Sequence, residues 1–335
     1  MSNAYLNEID IYNEKLKEEF ISKYPDQTHS IYRRVFYYSA AVEEMHGADL
    51  YEFNLKQIGE VLKSMNPSSL ASVKSGVSII KAYIDWAIHR RSNNLNPLDV
   101  VDVEWERQFV DTTKKLFFSK DEIDDIISNC KNAQDSVIIS LLFYGVGGKE
   151  VSELRNLRYK DVNFEDKLVT LTNENGEQRQ VKVPDQTLQL LQEAAKQLEY
   201  YKRNGHIAPN SRNTKGTSKL IETGYLIKPA NTKNVHLSQV NTHVVYGRLS
   251  TISELFEIEN FTVKNIQRSG MIYMAKQILD RDGKFEDKEQ YFEICEQFGV
   301  NKTVNNGYEV YSWFAMKEYI NLDMIKQLYR ESSLS

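Results

Sequence analysis

The stretch from 136 to 198 constrains the fold more tightly than any other part of this 335-residue chain. An apolar helical run over 136–145 ends in Gly145-Val146-Gly147-Gly148, and a second short run containing Ser152-Glu153-Leu154 follows at once. Two strand-like segments, Leu168–Thr172 and Arg179–Val183, flank Asn175-Gly176, a pair that strongly favours a tight hairpin. Pro184-Asp185 then opens a long helix through Leu188, Leu191, Ala194 and Leu198. Helix, turn, helix, hairpin, helix is the order of a mainly α domain with a small sheet. Because the glycine-rich turn joins two helices, it is not the strand-to-helix loop that cradles nucleotide phosphates.

Upstream, the spacing predicts four helices. Leu6, Ile9, Tyr12, Leu16 and Phe20 recur every three or four residues as far as Pro25-Asp26. A second run starts at Thr28 and closes at Gly47, and a third covers 54–65. The fourth carries Leu70, Val73, Val77, Ile80, Ile84 and Ala87 on one face and ends near Arg91, before a polar loop reaching Asn96-Pro97. These runs divide the chain into a helical domain at 1–98, a linker at 99–117 and a second domain at 118–335. A capping box, Ser119 to Glu122, marks the start of the second domain.

Total charge argues against nucleic acid, and its distribution argues for it. The chain has a formal charge of −5, yet Tyr200 to Ser253 holds eight basic residues against Glu222 alone, a local +7 that leaves −12 elsewhere. The eight are Lys202, Arg203, Arg212, Lys215, Lys219, Lys228, Lys233 and Arg248. A basic segment on an acidic body suits one DNA-facing surface. Cys130 and Cys295 are too few for a disulfide framework, and the six histidines show no metal-ligand spacing, so neither metal nor cofactor is expected. No run approaches the length of a membrane span or a signal peptide, which implies a cytoplasmic protein.

Residues 141–166, LLFYGVGGKEVSELRNLRYKDVNFED, resemble the first signature box of the tyrosine recombinase (phage integrase) family. Ser152, Glu153, Leu154, Leu157, Tyr159, Asp161 and Val162 fall in register, and that register places Glu150 where the family has a catalytic arginine. A slip of one residue would offer Lys149 instead, without the planar fork that grips phosphate. The four helices before the Asn-Pro turn resemble the family's core-binding domain, whose second and fourth helices lie against DNA. On the hairpin, the family's catalytic lysine corresponds to Asn173 or Glu174; Lys182, by the end of the second strand, reads as a solvated residue. Phe261 to Gly270 resembles the second box, with Lys264 replacing a histidine and Gln267 replacing an arginine, and with Arg268 retained as a cation. Phe298-Gly299-Val300-Asn301 resembles a third turn with Val300 at the histidine position, and Tyr308 or Tyr311 falls in the nucleophile window.

The resemblance implies a mainly α, two-domain integrase fold that binds double-stranded DNA but has lost strand transfer. Transfer passes through a phosphorane whose extra charge must be met by fixed cations. A carboxylate about 4 Å from it opposes it by on the order of 4 kcal/mol at an effective dielectric near 20. The residues expected to meet DNA are Arg33, Arg34, Lys74, Lys81, Lys202, Arg203, Arg212, Lys215, Lys219, Lys264 and Arg268. A recombinase fold kept without its catalytic set also resembles the repressors that maintain lysogeny in SPβ-like Bacillus prophages. That resemblance implies a sequence-specific, nucleoid-associated regulator of transcription in a bacterial host. A divergent active recombinase and a protein-interaction module are the alternatives. Trp313, Met316, Tyr319 and Ile320, with apolar residues continuing to Leu328, suggest self-association on DNA through the C-terminal segment; a protein antagonist is left open.

Overall fold

In the computed structural model, which describes residues 11–92, 94–206, 215–231, 238–305 and 307–329, the chain divides into two units between Lys114 and Lys115. In the first unit, α1 (Glu14–Ile21), α2 (Asp26–His46), α3 (Leu55–Ser64) and α4 (Leu70–Trp86) occupy the four expected helical stretches, although α1 starts only after Asn13, which is left-handed at a φ of 50°, so Tyr12 precedes it, and Leu6 and Ile9 lie outside the described residues. Helix α2 begins two residues before Thr28 and ends where Gly47 takes a φ of 59°, a left-handed stop that glycine makes without strain. Helix α3 is held by a capping box between Asn54 and Gln57. Helix α4 stops at Trp86, short of the expected Arg91, and Ile88–Arg90 forms a 3-10 turn.

The stretch read as a linker is partly ordered. Pro97–Val100 is a 3-10 turn and α5 (Val103–Arg107) follows. Phe109 is buried in the first unit's core, where its ring would crowd a side chain at Gly59.

That core is aromatic and encloses one ion pair. Phe20, Phe36 and Tyr83 meet edge to face at 4.9–6.1 Å. The Lys17 ammonium lies 2.6 Å from both carboxylate oxygens of Glu43, and both side chains are fully buried. Ser39 Oγ and the Leu50 N–H also donate to Glu43, and Tyr12 O accepts from Lys17. Burial is the main influence on both groups, pulling the Lys17 amine below its ordinary pKa and pushing the Glu43 carboxyl above its own. Nothing in the sequence periodicity separates Lys17 from a solvated lysine.

The second unit is built around α7 (Ala133–Phe143), whose residues from Gln134 to Phe143 are all buried. Against it lie α6 (Lys120–Asn129), α9 (Asp185–Lys196), α10 (Thr242–Leu255) and α11 (Val263–Asp282). The capping box at Ser119 and Glu122 forms as expected. Helices α7 and α11 pass so closely that a Cβ at Gly270 would overlap the Phe143 carbonyl. After α8 (Ser152–Asn156) comes a three-stranded antiparallel sheet of β1 (Val162–Asn163), β2 (Leu168–Thr172) and β3 (Gln178–Lys182), in which Thr170 pairs with Gln180.

Helix α9 ends at Lys196, so Leu198, expected on its buried face, is 73 % exposed. The side chain of Gln197 bonds to Asn132, the Gln134 N–H and Glu199 O, turning the chain into β4 (Glu199–Tyr201), which pairs with β5 (Thr217–Lys219). The C-terminal part holds α12 (Lys288–Phe298), the hairpin β6 (Lys302–Asn305) and β7 (Tyr308–Tyr311), and α13 (Leu322–Tyr329). Met316, Ile320 and Ile325 are buried in its apolar cluster, with Trp313 and Tyr319 packed against it. The apolar stripe expected in this segment is therefore largely covered within its own chain.

Removing one member of the buried pair strands the other. Lys17→Met should cost roughly 3–5 kcal/mol, and Lys17→Met combined with Glu43→Leu should cost much less. Urea unfolding of the first unit's transition checks the difference.

Candidate nucleic-acid interface

The signature turn begins where α7 ends. Gly145 and Gly148 have φ of 98° and 74°, and Glu150 and Val151 are both left-handed, at 52° and 53°. A left-handed β-branched residue is strained. Val151 holds it because its side chain is 1 % exposed in the same core as Leu154.

The polar side of the turn is tied by Glu153 and Arg179. Arg179, on β3, reaches the two Glu153 oxygens at 2.5 and 2.7 Å, Gly145 O at 2.7 Å and Gln297 O at 2.9 Å. Glu153 in turn accepts from the Gly147 N–H at 2.8 Å. One guanidinium thus joins the turn, the hairpin and the end of α12. It also fills the space a side chain would need at Gly299, next to Val300.

Around this tie the structure gathers several of the positions that the resemblance aligns with the family's catalytic residues. Glu174, in the hairpin loop, accepts from Ser152 Oγ at 2.9 Å. Its own backbone N–H, that hydroxyl and Lys149 hold its carboxyl below the ordinary range. Gln267, on the first turns of α11, lies against Gly147. Glu150 is exposed. Lys264 is exposed as well, and the neighbouring Arg268 lowers its amine pKa, with burial adding to the effect. Both Lys264 and Gln267 line a cleft of about 520 Å³ between α10 and the start of α11. Arg268 also lies 4.3 Å over the Tyr319 ring. Tyr308, on β7, is 76 % exposed, whereas Tyr311 packs on Phe292 at 5.2 Å.

The remaining basic positions are unequal. Arg33 is held by Glu18 at 2.7 and 2.8 Å, and Lys81 by Asp99 at 2.7 Å, so either would have to exchange a carboxylate to meet another anion. Arg34 and Lys74 are exposed, as are Lys215 and Lys219; Lys202 is half-buried. Arg203 pairs with Glu254 at 2.7 Å. Arg212 and Lys233 lie outside the described residues.

Two members of the basic segment are interior. Lys228 is 3 % exposed and bonds Ala195 O and Glu222, while Arg248 is 8 % exposed, 3.7 Å from Asp135 and stacked on Tyr200. The local +7 therefore overstates the charge at the surface. Counting charge along a sequence does not separate an internal clamp from a surface patch, and nothing in the spacing marked these two.

Neither Arg155 nor Arg179 was singled out from the sequence, although the carboxylate of Glu153 at the foot of the turn called for a cationic partner. No group of three or more His, Cys, Asp or Glu is placed to hold a metal ion among the described residues, and none of their helices is long and apolar enough to cross a membrane.

Residues 117–330 match the family model described as MrpR, C-terminal catalytic domain, and residues 11–89 match MrpR, N-terminal core-binding domain. The chain is similar to the SPβ prophage-derived uncharacterized protein YopR of Bacillus subtilis strain 168, with 28 % identity over 328 residues, covering 96 % of this chain and 97 % of that protein. Solved structures with a similar chain include the Tn1549 transposon integrase in complex with transposon right end DNA (TM-score 0.49, 15 % identity, 95 % of this chain and 99 % of the other). Another is a λ integrase dimer bound to a COC′ core site (TM-score 0.45, 12 % identity, 88 % and 98 %). With a core-binding and a catalytic domain in that order, the expected two-domain tyrosine-recombinase fold is the fold of this chain.

Two measurements test this site. Arg179→Ala removes the cationic partner of the buried Glu153, which keeps only the Gly147 N–H, and the donor to two carbonyls, and should destabilise the second unit by roughly 3–5 kcal/mol in thermal or urea unfolding. Burial pushes the Cys130 thiol up to about 12 and Cys295 to about 11. Neither should react with a thiol reagent at about pH 8 while the protein is folded, and both should react in denaturant.

Proposed function

The chain belongs to the MrpR family, and from that premise we propose that it binds double-stranded DNA at specific sites without cutting it, as a prophage repressor that maintains lysogeny. The observation that carries this reading is the exchange at the signature site. Glu150, Glu174 and Gln267 supply two carboxylates and a neutral amide where strand transfer needs two arginines and a lysine. A site with that balance repels the phosphorane it would have to stabilise. Ground-state DNA asks for less, because scattered lysines and arginines along a phosphate backbone suffice for binding.

Lys264 and Arg268 suit that lesser task. They stand side by side at the start of α11, and neither has a carboxylate partner among the described residues. Arg34 and Lys74 on the first unit and Lys215 and Lys219 on the second are exposed cations of the same kind. The integrases with similar chains are described with DNA bound, and YopR is described as prophage-derived. Both descriptions support the reading, which makes this a cytoplasmic, nucleoid-associated protein of a lysogenic bacterial host. Self-association on DNA belongs to the same proposal. Its surface would draw on the exposed apolar side chains of the C-terminal segment, among them Phe314, which is 73 % exposed.

A divergent recombinase is the second reading, and the exposure of Tyr308 favours it. A nicked suicide duplex separates the two. On a denaturing gel we expect no covalent protein–DNA band; a band that disappears in Tyr308→Phe or Tyr311→Phe would establish the recombinase. Replacing Lys74, or Lys215 with Lys219, by Ala should weaken binding to every sequence. Each cation removed from a phosphate should flatten the slope of log affinity against log salt by roughly one.

A further inference from the structure

Two arginines flank the signature turn and are used differently. Arg179 is fully engaged, its donors directed at Glu153 and backbone carbonyls. Arg155, on α8, is half-buried. Its Nε donates to Val240 O at 2.9 Å, while its Nη1 lies 3.4 Å from Thr242 Oγ1 and 3.5 Å from Glu150 O. The last two distances are at the outer limit of hydrogen bonding. Nη2 donates to no described residue, and no described carboxylate pairs with the group.

Holding the 238–242 segment in place needs only the Nε–H, which a neutral amide could supply. The charge is left over. A half-buried cation loses hydration, and Arg155 recovers nothing from an ion pair with the described residues. Its position is also particular, because Nη1 stands beside the carbonyl of Glu150, the residue at the family's arginine position. A guanidinium oriented through Nε, with its Nη edge weakly bonded or open, presents the two-pronged donor that fits a phosphate.

We propose that Arg155 is the DNA-phosphate contact that serves the signature turn in place of the arginine missing at position 150. It rests on the DNA-binding reading above, and it adds a cation to a turn whose own residue, Glu150, repels the backbone. The contact is a charge-assisted hydrogen bond to a backbone phosphate oxygen, and no bond is broken.

The test is equilibrium binding of the full chain to duplex DNA over a salt series, with wild type, Arg155→Gln and Arg155→Lys. The glutamine keeps an N–H for Val240 O and removes the charge; the lysine keeps the charge. Arg155→Gln should bind several-fold more weakly at ~0.1 M salt, with a slope shallower by about 0.9, and Arg155→Lys should keep the wild-type slope. The slope does not depend on the fraction of folded protein, so a partly unfolded variant still reports. A wild-type slope in Arg155→Gln, or a slope reduced equally in both variants, overturns the assignment while DNA binding by the wild type stands. Wild type with no salt-dependent binding to any duplex overturns the DNA-binding reading, and this one with it.

Discussion

The second unit depends on one interaction, the pairing of Glu153 with Arg179. The signature turn contains two left-handed residues, Glu150 and Val151, a conformation with an intrinsic cost of order 1–3 kcal/mol per residue that persists only where surrounding contacts over-determine it. Val151 and Leu154 supply the apolar part of that hold. Arg179 supplies the rest by joining Glu153 and Gly145 O, at the two ends of the turn, to Gln297 O, more than a hundred residues away in sequence. Because the guanidinium has a fixed planar shape, its partners cannot move independently. The turn, the hairpin and the end of α12 therefore keep a constant relation, and Ser152 and Glu174 meet within it.

Much of the architecture was legible because apolar periodicity is a property of short stretches. The four N-terminal helices, the Ser119 capping box and the hairpin around Asn175-Gly176 all follow from spacing within a dozen residues, and all are present. Element ends were less legible. Helix α9 stops before Leu198 because the Gln197 side chain bonds to groups near 132 and 134, more than sixty residues away. Phe109 sits in a core although its surroundings read as a connecting segment. Long-range side-chain contacts of this kind leave no local periodicity.

The candidate site shows the same division. The reading of position 150 rests on the register of the signature residues after it, a pattern local to the sequence. Which cations are available was not readable. Lys17, Lys228 and Arg248 are interior, Arg33 and Lys81 are held by carboxylates, and Arg155 keeps an open edge. A lysine written in one letter looks the same in all of these settings, and what distinguishes them is a partner supplied by the fold.

Helix α11 carries a consequence for how binding could be controlled. Its buried residues belong to two apolar clusters, Ile266 to one and Ile272, Ala275 and Ile278 to the other, and its crossing with α7 at Gly270 leaves no room for adjustment. Burial of this kind is typical of elements whose amides exchange with solvent only in the rarest openings of a domain, those close to complete unfolding. Lys264 and Arg268 therefore sit on a mount that is already rigid before any ligand arrives. Little ordering entropy is available there for an effector to spend, so if this face meets DNA as proposed, a molecule that switches it off would have to cover it, because reshaping the helix would mean melting the domain that carries it.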